Sequence, residues 1–224
     1  MSLKIKQSSA KKSNGRVADG TYLARIVQII DMGEQLQTDY ATGEAKTWDD
    51  GKPMYKPEIM VTFEFPSERI EIDGESRPRW QSKNYVASLH EKSALFGLIK
   101  AADPKANPKA YDVAKLIGKP VMVTVGSTSS GNAKISNVVG VPAGIPVPAL
   151  ENDPKVFDMN EPDMEVWDNM LMWVKNKIME SPSFRGSKLE ELELSPEHES
   201  RPVSKKKPKL EEEQEDSFED EIPF

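Results

Sequence analysis

Between residues 21 and 141 apolar side chains recur at every second position in five stretches and at helical spacing in one. That commits the body of the chain to a mainly β fold. Residues 21–30 place Tyr22, Ala24, Ile26 and Ile30 on one face. Residues 59–65 give a second strand, and 69–72 run into Asp73-Gly74, a dipeptide suited to a tight hairpin. Residues 79–87 make a third strand, with Trp80 and Tyr85 on opposite faces. Ser88 and Glu91 read as a capping box opening a helix to about Ala102, with Leu95, Phe96, Leu98 and Ile99 as its apolar stripe. A further helical turn starts at Asn107-Pro108 and ends at Gly118. Residues 120–125 and 133–141 are the last two strands, joined by a turn at 127–132. This order suits a five-stranded OB-type Greek-key barrel with a helix between strands 3 and 4; a small sandwich satisfies it as well.

The flanks read differently. Residues 1–18 carry Lys4, Lys6, Lys11, Lys12 and Arg16 and few apolar groups, which predicts a basic disordered arm before a domain over 19–142. Within that domain, 33–57 form a long connection rich in Gly, Asp, Thr and Lys, read as a hairpin excursion. Pro142, Pro146 and Pro148 end the domain and open a Pro-rich linker over 143–162. Residues 163–180 set Met164, Trp167, Met170, Leu171, Val174 and Ile178 at helical spacing. This predicts an amphipathic helix packed on the barrel, although the same stripe would serve docking or self-association, which leaves homo-oligomers open. Residues 181–224 read as a disordered linker and acidic tail.

Composition excludes much. There is no cysteine and there are two histidines, so neither a disulfide framework nor a zinc site is expected, and no other metal is called for. No apolar run approaches ~18 residues, so no membrane partner is expected and the protein reads as soluble and cytoplasmic. No phosphate-cradling Gly-rich loop or nucleophilic set is present, so neither catalytic residues nor a cofactor are assigned. The net charge of −7 divides unevenly: residues 1–150 are mildly basic and the acids concentrate beyond them. That division suits a nucleic-acid binder that also recruits partners.

Single-stranded nucleic acid needs flat rings for its bases and cations for its phosphates. Tyr40, Trp48, Tyr55, Trp80 and Tyr85 are interleaved with Lys46, Lys52, Lys56, Arg69, Arg77, Arg79 and Lys83. Trp80, flanked by Arg79 and Lys83, is the expected stacking platform, with Tyr85, Trp48, Tyr55 and Lys56 around it and Arg25 and Lys134 as groove contacts. Residues 40–85 also hold nine acids against seven bases, so the site depends on which side chains the fold puts on one face.

The chain closes on Asp216-Ser217-Phe218-Glu219-Asp220-Glu221-Ile222-Pro223-Phe224, an acidic run with an apolar tip. Such a tip suits a partner pocket that takes the Phe224 ring while a basic side chain takes the terminal carboxylate. A solubilising tail would have the same composition. The block Ser204-Lys205-Lys206-Lys207-Pro208-Lys209 reads as a basic spacer or as a nuclear localisation signal.

The tail resembles the C-terminal tip of bacterial and phage single-stranded DNA-binding proteins, which typically end Asp-Ile-Pro-Phe; here Glu221 stands for the Asp. In the body, Gly20-Thr21-Tyr22-Leu23-Ala24-Arg25, Ser88-Leu89-His90-Glu91-Lys92-Ser93 and Leu116-Ile117-Gly118-Lys119-Pro120-Val121 are similar to phage-encoded OB-fold single-stranded DNA-binding proteins. The resemblance covers about residues 20–141. It implies sequence-tolerant coating of single-stranded DNA in replication or recombination, in the host cytoplasm. Asp216, Phe218, Asp220, Glu221, Ile222, Pro223 and Phe224 would then recruit replication or recombination proteins. A strand-annealing recombination mediator and a protein-only adaptor are the competing expectations.

Overall fold

A computed structural model of the chain describes residues 16–39, 42–107, 110–128 and 131–195. Its organising element is β1 (Gly20–Leu36), which serves two partners in turn. Gly20 to Arg25 pair with β4 (Pro120–Ser127), and from Arg25 onward the strand pairs with β2 (Tyr55–Ile72), antiparallel in both cases. Irregular register after Ile26 marks the change of partner and lets the strand bend. β3 (Glu75–Val86) and β5 (Ala133–Val139) complete the order β3-β2-β1-β4-β5. The protein is thus mainly β, as expected, but the sheet stays open. β3 and β5 share no backbone ladder, and side chains span the seam: Gln81 Nε2 donates to Ala133 O at 3.4 Å and Lys83 Nζ to Ile135 O at 3.2 Å.

The β2–β3 turn follows from its sequence. Asp73 and Gly74 sit at φ +53° and +82°, the left-handed pair that a two-residue hairpin needs, and Ile72 faces Glu75 across it. α1 (Ala94–Ala102) starts later than the capping box suggests. Ser93 is the N-cap: its hydroxyl accepts from Phe96 N and donates to Ser88 O. Ser88 instead helps fold the preceding turn, accepting from His90 N.

Two cores lie on opposite faces of β1 and β2. Ile59, Val61, Phe63 and Phe65 point inward with Ala24, Ile26, Val121, Val123 and Ile135, and α1 adds Leu95, Leu98 and Ile99. Ile30, Met32 and Met60 point outward, where C-terminal elements cover them: β6 (Lys155–Phe157), α2 (Met164–Asp168), α3 (Met172–Glu180) and α4 (Lys188–Glu193). Residues 59–65 are consequently buried without a break, which half-exposed alternation would not give.

The C-terminal half corrects three expectations. First, 143–162 is no free linker. The Arg25 guanidinium donates to Pro148 O, Val147 O and Gly118 O at 2.6, 3.0 and 2.7 Å, and β6 joins β1 in parallel as a sixth strand. Second, the helix over 163–180 is two helices. Asn169 caps α2 and turns its Nδ2 onto Glu165 O at 2.8 Å, the local competition that lets Asn interrupt a helix. Third, residues 181–195 are structured: Phe184 and Leu189 are buried in the outer core and Ser187 caps α4. At the other end Val17 is buried, so order begins inside the expected basic arm. The tail residues Asp216, Phe218, Asp220, Glu221, Ile222, Pro223 and Phe224, the 205–209 basic block, Tyr40 and residues 1–15 lie outside the described residues.

Gly33 marks where β1 meets the C-terminal elements. It sits at φ +69°, and a Cβ there would overlap Ser181 and Met159. Asp31 holds this bend by accepting from Gly33 N at 2.9 Å. Burial pushes the Asp31 carboxyl above the usual carboxylate range; the Gly33 and Met159 backbone N–H groups oppose that, and Asp158 adds to it. The folded state therefore binds this proton more tightly than the unfolded chain. Its contribution favours folding at low pH and is lost as pH rises through the folded pKa. Asp31→Asn keeps the acceptor without the buried charge. It is expected to raise the melting temperature at about pH 7 and to leave it unchanged at about pH 3, where the carboxyl is protonated in both states. Equal shifts at both pH values would show that the charge is not what the site resists.

Candidate functional site

Because side chains alternate along a strand, the even-numbered positions of β2 from 60 to 64 and of β3 from 80 to 84 face outward. Two rows cross the strands there. Gln28, Thr62 and Ser82 lie side by side: Thr62 Oγ1 donates to Gln28 Oε1 at 3.3 Å and shares a hydrogen bond with Ser82 Oγ at 2.9 Å. In the next row Glu64 faces Trp80, and the indole Nε1 donates to Glu64 Oε2 at 3.2 Å.

Glu64 is fully buried although its position faces out, because residues 147–152 cross over it. Its carboxyl accepts from Glu151 N at 2.8 Å and Asn152 Nδ2 at 2.6 Å, and Arg69 binds the Glu151 carboxylate at 2.5 Å. The Trp80 ring is thus held at one end by a fixed acceptor, while 38% of the residue remains exposed.

Beyond the sheet, β1 and β2 continue into an arm. Gln37 N donates to Met54 O, Lys46 N to Gln37 O and Met54 N to Lys46 O, so the long connection is a folded excursion. Trp48 lies on this arm 48% exposed, with Lys56 Nζ 5.9 Å from its ring centroid, a cation–π contact; Tyr55 is 37% exposed. Trp48, Tyr55 and Trp80 are the aromatic side chains left exposed among the described residues.

The remaining expected contacts are elsewhere. Arg79 and Lys83 sit an odd number of residues from Trp80 and take the opposite face. Arg79 Nε donates to Arg69 O at 3.1 Å, and Lys83 reaches the β5 seam with its Nζ 5.4 Å from the Tyr85 ring. Tyr85 is a core residue, 3% exposed, and burial pushes its hydroxyl pKa well up. It offers no face for a base. Arg25 is a strut that binds three carbonyls, and Lys134 on β5 pairs with Gly126 on β4, beside inward-facing Ile135. Geometry therefore joins Trp48 with Lys56 and ties Trp80 to the Glu64 carboxyl instead of to Arg79 or Lys83. Glu64, Gln28, Thr62 and Ser82 were not singled out from the sequence; period two counted from Trp80 reaches Ser82, but nothing local names its partners on β1 and β2.

Among the described residues no group of three or more His, Asp or Glu is placed to hold a metal ion, and no helix is long and apolar enough to cross a membrane. No family model, curated protein or solved structure matches this chain.

Proposed function

We propose that this protein binds single-stranded DNA with little sequence preference on an OB-type barrel, without catalysis or cofactor, in phage-type replication or recombination. The strand order supports the barrel. β1 is shared between β2 and β4, a helix separates β3 from β4, and β3 and β5 face each other across a seam bridged by Gln81 and Lys83. The observation that carries the function is the set of exposed rings. Trp48, Tyr55 and Trp80 stay in water on the β1–β2 arm and β3, and Lys56 stands over Trp48. Bases stacking on such rings contribute about 1–3 kcal/mol each, and arm lysines neutralise phosphates. The acidic C-terminal tip would recruit replication or recombination proteins.

Titration with poly-dT, followed by tryptophan fluorescence at two salt concentrations, tests this reading. Quenching is expected, with affinity falling as salt rises by a log–log slope of about −0.7 per phosphate neutralised. Trp48→Ala and Trp80→Ala should each weaken binding by about tenfold, the lower part of the stacking range. No quenching at either salt would overturn the reading and leave a protein-only adaptor. Accelerated pairing of complementary strands would reassign it to annealing.

A further inference from the structure

We infer that the part of the outer sheet face left bare by the C-terminal elements pairs with the same face of a second copy of this chain. The inference is independent of the DNA reading above. Those elements cover Ile30, Met32 and Met60; Leu23 and Met122, at the end where β1 runs beside β4, are half-buried and belong to neither core. Two outward rows run across this end. Leu23, Met122 and Val139 lie side by side, and Thr21, Thr124 and Asn137 form the next row. Their strand neighbours Ala24, Val121, Val123 and Val138 take the inner side. Arg25, the next outward position of β1, holds Val147 O and Pro148 O, so the 140–148 segment borders the Leu23 row. Val139 is 41% exposed and Ile145, two residues before Val147, is 44% exposed. A contiguous apolar surface of this kind marks an interaction site.

Three observations select the occupant. Charge comes first. Residues 20–24, 120–127 and 135–150 contain no Asp, Glu, Lys, Arg or His, although 30% of the chain is charged. Near a two-fold axis each residue meets its own copy, so a charge there faces its own sign. A different partner can answer a charge with the opposite one and does not require a neutral face; a copy of a chain with net charge −7 does. Next, the polar groups of the face are already paired. Thr21 Oγ1 and Thr124 Oγ1 share a hydrogen bond at 3.0 Å, Ser136 Oγ donates to Thr124 O at 3.1 Å, and Asn137 Oδ1 accepts from Val138 N at 3.0 Å. They keep those bonds when water is excluded, so burying them costs little. Finally, the face offers nothing to a nucleic-acid strand. Neither row holds a ring, Arg25 is spent on three carbonyls, and Lys134, opposite Gly126, lies outside both rows.

Sedimentation equilibrium of the full chain without DNA, over a wide concentration range and at two salt concentrations, tests the pairing. Monomer and dimer should exchange, and raising the salt should leave the dimer intact, because apolar burial is not screened. Val139→Glu sets like charges against each other and should weaken the dimer by about a hundredfold. Ile145→Glu lies outside the strand ladders and should weaken it by about tenfold, which keeps the test open if Val139→Glu does not fold. The chain has no cysteine, so single thiols can be placed at will. A short bismaleimide should join two Val139→Cys chains and leave Leu194→Cys chains single, although Leu194 is the more exposed at 72%. A single-chain mass at every concentration would overturn the inference. So would a dimer that salt disperses, one that both charge substitutions leave intact, or cross-linking of Leu194→Cys in preference to Val139→Cys.

Discussion

Glu64→Ala is expected to lower the unfolding free energy by about 3–5 kcal/mol, enough to drop the melting temperature by roughly 10 °C. The carboxyl is fully buried and is the shared acceptor of three donors from two separate parts of the chain: Trp80 Nε1, Glu151 N and Asn152 Nδ2. Removing it strands all three. A buried donor without an acceptor costs about 1–3 kcal/mol, and water entering the gap recovers part of that sum. Glu64→Gln keeps the volume and one carbonyl acceptor but turns an NH₂ group toward a donor, so about half the loss is expected. Urea denaturation measures both variants. Limited proteolysis should show new cleavage at 142–154, because the segment keeps its Arg25 and Arg69 contacts but loses the buried Glu64 anchor beneath it. A loss below about 1 kcal/mol for Glu64→Ala would mean that the crossing segment does not depend on this carboxyl.

The same residue shows where sequence reasoning ran out. A Glu between Phe63 and Phe65 reads as the polar position of a half-exposed strand, and nothing local says that residues 87 positions downstream will cover it. Elsewhere local chemistry was enough. Asp73-Gly74 named the β2–β3 hairpin because few other pairs accept two left-handed residues in succession. Parity alone separated Trp80 from Tyr85, and applied consistently it would also have removed Arg79 and Lys83 from the Trp80 face.

Register was harder to read. Projected from the turn, Thr62 would face Tyr85; residues 66–68 bulge out, and Thr62 faces Ser82 instead. An odd shift of three exchanges the faces that meet, so the Gln28–Thr62–Ser82 row depends on a bulge that no periodicity announces. The C-terminal segment failed for a different reason. Phe157, Met159, Phe184 and Leu189 are sparse apolar residues among polar and charged ones, with no pattern long enough to mark them as a surface. They are buried only because Ile30, Met32 and Met60 give them a face to meet, whereas simple alternation from Ile26 put Ile30 on the inner face; the irregular register after Ile26 turns it outward. The signal lay in the partner: apolar residues at both odd and even positions of 59–63 mark a strand covered on both sides.

That covering lobe turns on one side chain. Trp167→Ala is expected to cost about 3–5 kcal/mol, the range for emptying a buried aromatic site. Trp167 is fully buried, stacked on Phe157 with ring centroids 5.6 Å apart, under Lys175 Nζ at 5.0 Å, and its Nε1 donates to Glu193 Oε2 at 2.5 Å. It therefore ties α3 and α4 to β6, the strand by which this lobe joins the sheet. Trp167→Phe retains the stacking and gives up the hydrogen bond, so a loss of about 1–2 kcal/mol is expected. Hydrogen exchange separates local from global damage. If the lobe is a distinct cooperative unit, amides of 155–195 lose protection in Trp167→Ala while those of 59–65 keep theirs. Uniform loss would instead mean that sheet and lobe unfold together, because Ile30, Met32 and Met60 cannot stay exposed in a stable sheet. In the first case Met170 and Trp173 leave with the lobe. Trp80 and the Gln28–Thr62–Ser82 row would then stand open to water while the inner core keeps its protection, so one variant would separate the covering lobe from the sheet it covers.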